Sequence, residues 1–166
     1  MQSTFNQYIK KYLVGQITRS SNSETSTGIS ESASAITIGN LVVSGTSKFG
    51  VDIPTAAFTY ADIYGVVGYE VNTEKAIGTN LISYTDGDQF MVVRKGYIAL
   101  ELTGTVAKGG HLYFVHTDGG ASAIHTWRGD LDTDKASKTP IVALEAGVSG
   151  DIIECRINLD LGIGVS

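Results

Sequence analysis

The residues whose types could do chemistry in this chain are three histidines, a short run of aspartates, one cysteine and one tryptophan. His111 and His116 stand five apart, so on one strand their side chains leave opposite faces and cannot share an ion without a bulge. His125 lies near the return strand of the same hairpin and can approach either one. No Cys, Asp or Glu joins them in a ligand spacing, which predicts surface or rim histidines and no metal site. Asp130, Asp132 and Asp134 begin like a calcium loop. The sixth position is then Lys135 instead of Gly, and the twelfth is Ile141 instead of a bidentate Glu. A solvated acidic loop is the expectation.

Cys155 falls on the inward side of an alternating stretch, where a thiol packs as a small hydrophobe. A reactive thiol needs an exposed, electropositive setting. Asp86 and Asp88 flank Gly87, which is turn chemistry. Trp127 with Arg128 suits core packing first and a binding platform second. Neither G-x-S-x-G nor a P-loop is present. The chain is read as no enzyme, with no cofactor.

The elements that must position these residues follow from composition and pattern. At 166 residues the chain fits one domain with an appended arm, and 42% hydrophobic residues allow a real core. Charged residues make up 17%, below the roughly 25% of an average soluble domain. The net charge of −5 and the lack of any basic run beyond Lys10-Lys11 argue against nucleic acid. No window is apolar for long enough to cross a membrane as a helix. The start of the chain has no signal-peptide pattern, so use without Sec export is expected. A single cysteine excludes an internal disulfide.

Residues 1–15 predict a short amphipathic helix: Phe5, Tyr8, Ile9, Tyr12 and Leu13 share one helical face, Thr4 and Gln7 have the capping-box form, and Gly15 is the stop. Such a helix is marginal alone and must dock, on its own domain or on a neighbour. From Ser20 to Ala35, nine of sixteen residues are Ser or Thr, which reads as a linker or an extended segment that cannot fold unaided. The division expected is 1–35 for the helix and arm and 36–166 for a β-domain.

After Ile36, short strands alternate with glycine turns: Ile36 to Val43, Tyr64 to Val71, Phe90 to Arg94, Tyr97 to Leu102, His111 to His116, Ala123 to Trp127 and Pro140 to Leu144. Asp118-Gly119-Gly120 marks a hairpin, and Asp130 to Lys138 reads as a polar loop. The last strand turns Ile153, Cys155, Ile157 and Leu159 inward and Glu154, Arg156, Asn158 and Asp160 outward. The fold class is all-β, a small β-barrel or β-sandwich with the short N-terminal helix and the extended arm.

The order of features from Tyr64 to Asn158 resembles a known family. It consists of the strand Tyr64 to Gly68, the turn at Gly87-Asp88, the pair Phe90 to Leu102 kinked at Gly96, the stretch Val106 to Val115, the hairpin at Asp118-Gly119-Gly120, and the closing strands Ile141 to Leu144 and Ile152 to Ile157. This is similar to the capsid decoration, or structural cement, proteins of bacteriophages, the Gp24-like type. Residues 1 to about 50 lie outside the matching pattern.

The resemblance implies a virion structural protein without catalytic residues or cofactor. It implies a small β-domain on the outer surface of the head that bridges neighbouring major capsid protein subunits. A homo-oligomer, with a trimer the first expectation, made in the host cytoplasm, goes with it. Phe5, Tyr8, Ile9 and Tyr12 are the residues expected to contact the partner. The alternative is a carbohydrate- or receptor-binding β-module of a phage head or tail fibre, with Trp127, His125 and Tyr113 as its platform.

Overall fold

The computed structural model describes residues 12–69 and 83–159. Among them the regular structure is entirely β. The strands are β1 (Ile17–Ser30), β2 (Ile36–Thr37), β3 (Leu41–Ser44), β4 (Gly50–Asp52), β5 (Ile63–Val67) and β6 (Ser83–Tyr84). They continue with β7 (Gln89–Glu101), β8 (His111–Val115), β9 (Trp127–Arg128), β10 (Ala136–Ala143) and β11 (Ile152–Asn158). Nine of these form one sheet in the order β1-β4-β3-β5-β7-β11-β10-β8-β9, and β2 pairs with β6 in a second. A further ladder joins β1 to β7, so the pairings β1–β4–β3–β5–β7 return to their start.

β7 organises the molecule because its two halves serve different neighbours. Val92 and Val93 pair with β5, Lys95 to Glu101 pair with all of β11, and β1 runs along the other edge. The change of partner falls next to Gly96, whose φ of 123° only glycine adopts readily. Opposite it, β1 is interrupted between Arg19 and Glu24, which pair with Tyr97 and Lys95. The four residues between them form a bulge that bends β1 with β7. A Cβ on residue 96 would lie 3.0 Å from the Ser23 Cα, so bend and bulge require each other.

The core sits beneath β3, β5, β7, β8, β10 and β11, with Leu41, Val66, Val92, Ile98, Phe114 and Ile141 fully buried. In β11, Ile153, Cys155 and Ile157 point inward as their alternation requires.

The Ser/Thr-rich segment departs from the linker reading: residues 17–30 are β1, paired with β7 over most of their length. A burial count misjudged it because an edge-facing strand in an antiparallel pair can leave one side in water. β1 draws its stability from the ladder, and half of its Ser and Thr residues are exposed. The expected helix lies largely outside the described residues, including Phe5, Tyr8 and Ile9. Residues 12–16 form a turn closed by the Gln16 amide donating to the Leu13 carbonyl. Ile36 to Val43 is not one strand. Gly39, at φ 84°, turns the chain, and the Asn40 side chain accepts from the Thr37 amide at 2.8 Å, which divides β2 from β3. The polar loop after Asp130 ends sooner than expected, at Ala136, where β10 begins.

Candidate functional site

Each of the three histidines has contacts of its own. His111 opens β8 and its Nδ1 bonds the Thr139 carbonyl of β10 at 3.0 Å. His116, just past β8, is 3% exposed, its Nδ1 is 2.7 Å from the Thr117 hydroxyl, and Phe58 meets its ring edge-on. This corrects the expectation of a rim position: the amide of residue 116 donates to Lys135, which draws the ring under the 54–62 loop. Burial, with Lys135 nearby, holds its imidazole below the ordinary histidine range. His125 stacks on Phe114. Among the described residues no three His, Cys, Asp or Glu side chains converge as metal ligands.

The aspartate run serves an arginine. Asp132 is buried, 2.7 Å from the Arg128 Nη1, and accepts from the amides of Ala121 and Ser122 at 2.7 and 3.2 Å. Asp130 binds the Arg128 Nε, which lowers the pKa of its carboxyl, and Asp134 is exposed. The three carboxylates therefore do not face a common centre. Asp130 and Asp132 share the Arg128 guanidinium instead, and the loop carries three consecutive left-handed residues, Asp132, Thr133 and Asp134. Cys155 is buried, and burial pushes its thiol far above the ordinary range, so it stays protonated and unreactive. Asp88 caps its own turn by accepting from the Thr85 amide.

Trp127 is 3% exposed, donates Nε1–H to the Gly39 carbonyl at 2.7 Å and packs edge-on against Phe114. Its ring is not offered to solvent as a stacking platform beside His125 and Tyr113. Of the four residues expected to contact a partner, Tyr12 alone is described. It is half-buried next to the start of β1.

Two carboxylates that the sequence reading passed over hold the surface together. Glu154 of β11 takes both Nε and Nη2 of Arg19, at 2.9 and 2.7 Å, and the Thr18 hydroxyl as well. The same guanidinium lies 4.4 Å above the Tyr97 ring. Glu31 accepts the Thr46 amide and hydroxyl at 2.6 and 2.8 Å, and the Ser47 amide and hydroxyl. These bonds pull its carboxyl down to about 2. No local pattern announces either site, because the partners are fifteen or more residues away.

What the surface offers is contact area. Leu13, Phe49, Tyr60, Ile124, Leu131 and Val148 are large apolar side chains left exposed on separate turns. A shallow cleft of about 570 Å³ opens beside the β3–β4 turn, between Glu31, Asp52, Pro54, Phe58 and Asp62.

Residues 1–158 match the model of a family described as structural cement protein (E217 gp24/Pam3 gp6). This chain belongs to that phage cement family. It is a capsid-associated structural protein and, with its family, part of the virion. The cement protein also shares its fold with a chain of the capsid of Myoviridae phage XM1, at 18% identity and a TM-score of 0.69, covering 92% of this chain and 93% of the other. A weaker likeness is to the N base of the head fibre gp8.5 of bacteriophage phi29, at 12% identity and a TM-score of 0.47, covering 82% and 95%. A search of curated proteins finds no match. The family match reaches the first residue, whereas the resemblance read from the sequence began only after residue 50.

Proposed function

We propose that this cement protein decorates the outer surface of the phage head and bridges neighbouring major capsid protein subunits as a homo-oligomer, with a trimer the expected form. The family match over residues 1–158 carries this reading. Low charge and exposed apolar side chains on several turns support it, since permanent protein contact favours neutral surface over steering of a charged ligand. The ring of ladders β1–β4–β3–β5–β7 supports reading that part as a small barrel, a stiff body suited to bearing load. Synthesis in the host cytoplasm goes with assembly onto finished heads.

Binding only the assembled lattice stabilises it by mass action. Specific interfaces bury on the order of 1,200–2,000 Å² in total, and repeated contacts within an oligomer add avidity. In this reading Phe5, Tyr8, Ile9 and Tyr12 supply part of the area, ahead of a turn that is tied to β7 by the Gly15 amide donating to the Ala99 carbonyl. The fibre or glycan-binding alternative loses its platform with Trp127 buried.

The test is the copy number of the chain in purified virions against the major capsid protein, with binding of a version lacking residues 1–11 to undecorated heads. A ratio of one, or a simple fraction of one, and lost binding by the shortened chain are expected. A few copies per particle would sink the cement reading, and undiminished binding would sink the role given to the first residues.

A further inference from the structure

At His125 two unfavourable features fall on one residue. Its backbone lies at φ 64°, a left-handed conformation that is uncommon outside glycine, with asparagine, aspartate and histidine the side chains that enter it most often. Its Nε2 is buried and has no hydrogen-bond partner among the described residues, an arrangement that native interiors almost always avoid. Strain and an orphaned polar atom at one position persist only where the surroundings impose them.

Those surroundings are specific. The His125 amide donates to the Val115 carbonyl at 2.7 Å, and its own carbonyl accepts from the Asn40 Nδ2 at 3.0 Å. Its ring stacks on Phe114, 6.2 Å between centroids and 15° from parallel. Trp127 meets the same Phe114 from the side and anchors on Gly39. Residue 125 therefore ties the β8–β9 loop to the turn between β2 and β3.

Phenylalanine would stack as well without orphaning an atom, and asparagine would suit the backbone better. What imidazole alone adds is a site that takes up a proton near neutral pH. We infer that His125 is an acid-released latch: a proton from solvent taken up at Nε2 drives the ring off Phe114 and frees the 117–126 loop from the turn at residues 38–40.

Among the described residues, no charge on the packed elements compensates the imidazolium. β8 presents Phe114 and Val115, the turn presents Gly39 and Asn40, and β9 presents Trp127. Arg128 is paired with Asp130 and Asp132. Lys135 acts on His116, and Asp118 on the loop itself is exposed and accepts from its neighbouring Gly119 amide. Burial accordingly holds the His125 imidazole below the ordinary histidine range.

Trp127 is the only tryptophan of the chain, so its fluorescence reads the latch directly. Titrating the full-length protein from pH 8 to 4.5, we expect an emission change with its midpoint below 6.5 while far-UV circular dichroism stays constant. His125→Phe and His125→Asn should each abolish it, and His116→Asn should keep it. The His125 ring-proton resonance, followed by NMR in the unaltered chain, should titrate with the same midpoint, which tests the latch even where a variant fails to fold. A flat Trp127 signal, a transition that survives either His125 substitution, or a His125 ring that titrates with no accompanying change at Trp127 overturns the inference.

Discussion

Asp132 is gripped from three sides, by the Arg128 guanidinium and by the amides of Ala121 and Ser122. The chain comes so close that a Cβ at Gly120 would lie 2.4 Å from its Oδ2. The carboxylate thus closes the loop after β8 against the loop after β9 and neutralises a buried arginine. Asp132→Ala removes the acceptor of both amides and the carboxylate at Arg128 Nη1, while Asp130 still holds Nε. Leaving buried donors unsatisfied costs about 1–3 kcal/mol. Urea denaturation should show a loss of that order, the same with and without millimolar calcium. A loss that calcium enlarges would return the aspartate run to the cation-site reading.

At the scale of elements, the pair β1–β7 carries the largest share of the architecture. β7 bends at Gly96 to change partner, and β1 follows by looping out residues 20–23, where Asn22 is left-handed and the Ser23 hydroxyl bonds the Arg19 carbonyl. Gly96→Ala places a side chain at φ 123° and against the Ser23 backbone. Strain of this kind costs about 1–3 kcal/mol. The melting temperature should fall, and hydrogen exchange should quicken first in residues 17–24. Equal exchange there would mean that the bulge does not depend on the glycine. The kink was legible in the sequence as a glycine inside an apolar strand. The bulge was not, because Ser-Ser-Asn-Ser reads as linker until a partner strand is known.

For the whole molecule, the titrating groups set how stability follows pH. His116 and His125 are held below their ordinary 6.5 by burial, so the unfolded chain takes up protons there that the native state resists. Their contribution is complete above about pH 6.5 and is lost as pH falls below it. Glu31 is lowered from 4.5 to about 2 by the hydroxyl of Ser47 and then by the amide and hydroxyl of Thr46. Its contribution is present above pH 4.5 and is lost on descent towards 2. Asp62 and Asp130 move in the same direction, through Thr59 and Arg128. Denaturation midpoints measured against pH should be flat above 7, decline below 6.5 and decline again below 4.5. Glu31→Gln should flatten the second decline and leave the first. A second limb unchanged by that substitution would show that Glu31 is not its source.

The sequence by itself determined what depends on neighbours along the chain. Alternation assigned Ile153, Cys155 and Ile157 to the interior. Glycine turns at residues 87 and 119 set strand punctuation, each with positive φ. The order of those strands was enough to point to the family. Tertiary structure decided what depends on which strands meet. It made β1 part of the main sheet, put His116 inside, turned Asp132 to Arg128, and covered the outward-facing Glu154 with Arg19, 135 residues away. The physical reason is that a period-two pattern specifies the face of a side chain but not the strand beside it. Burial of a polar group is decided by that neighbour, so the polar sites of this protein became legible only once the ladders were known.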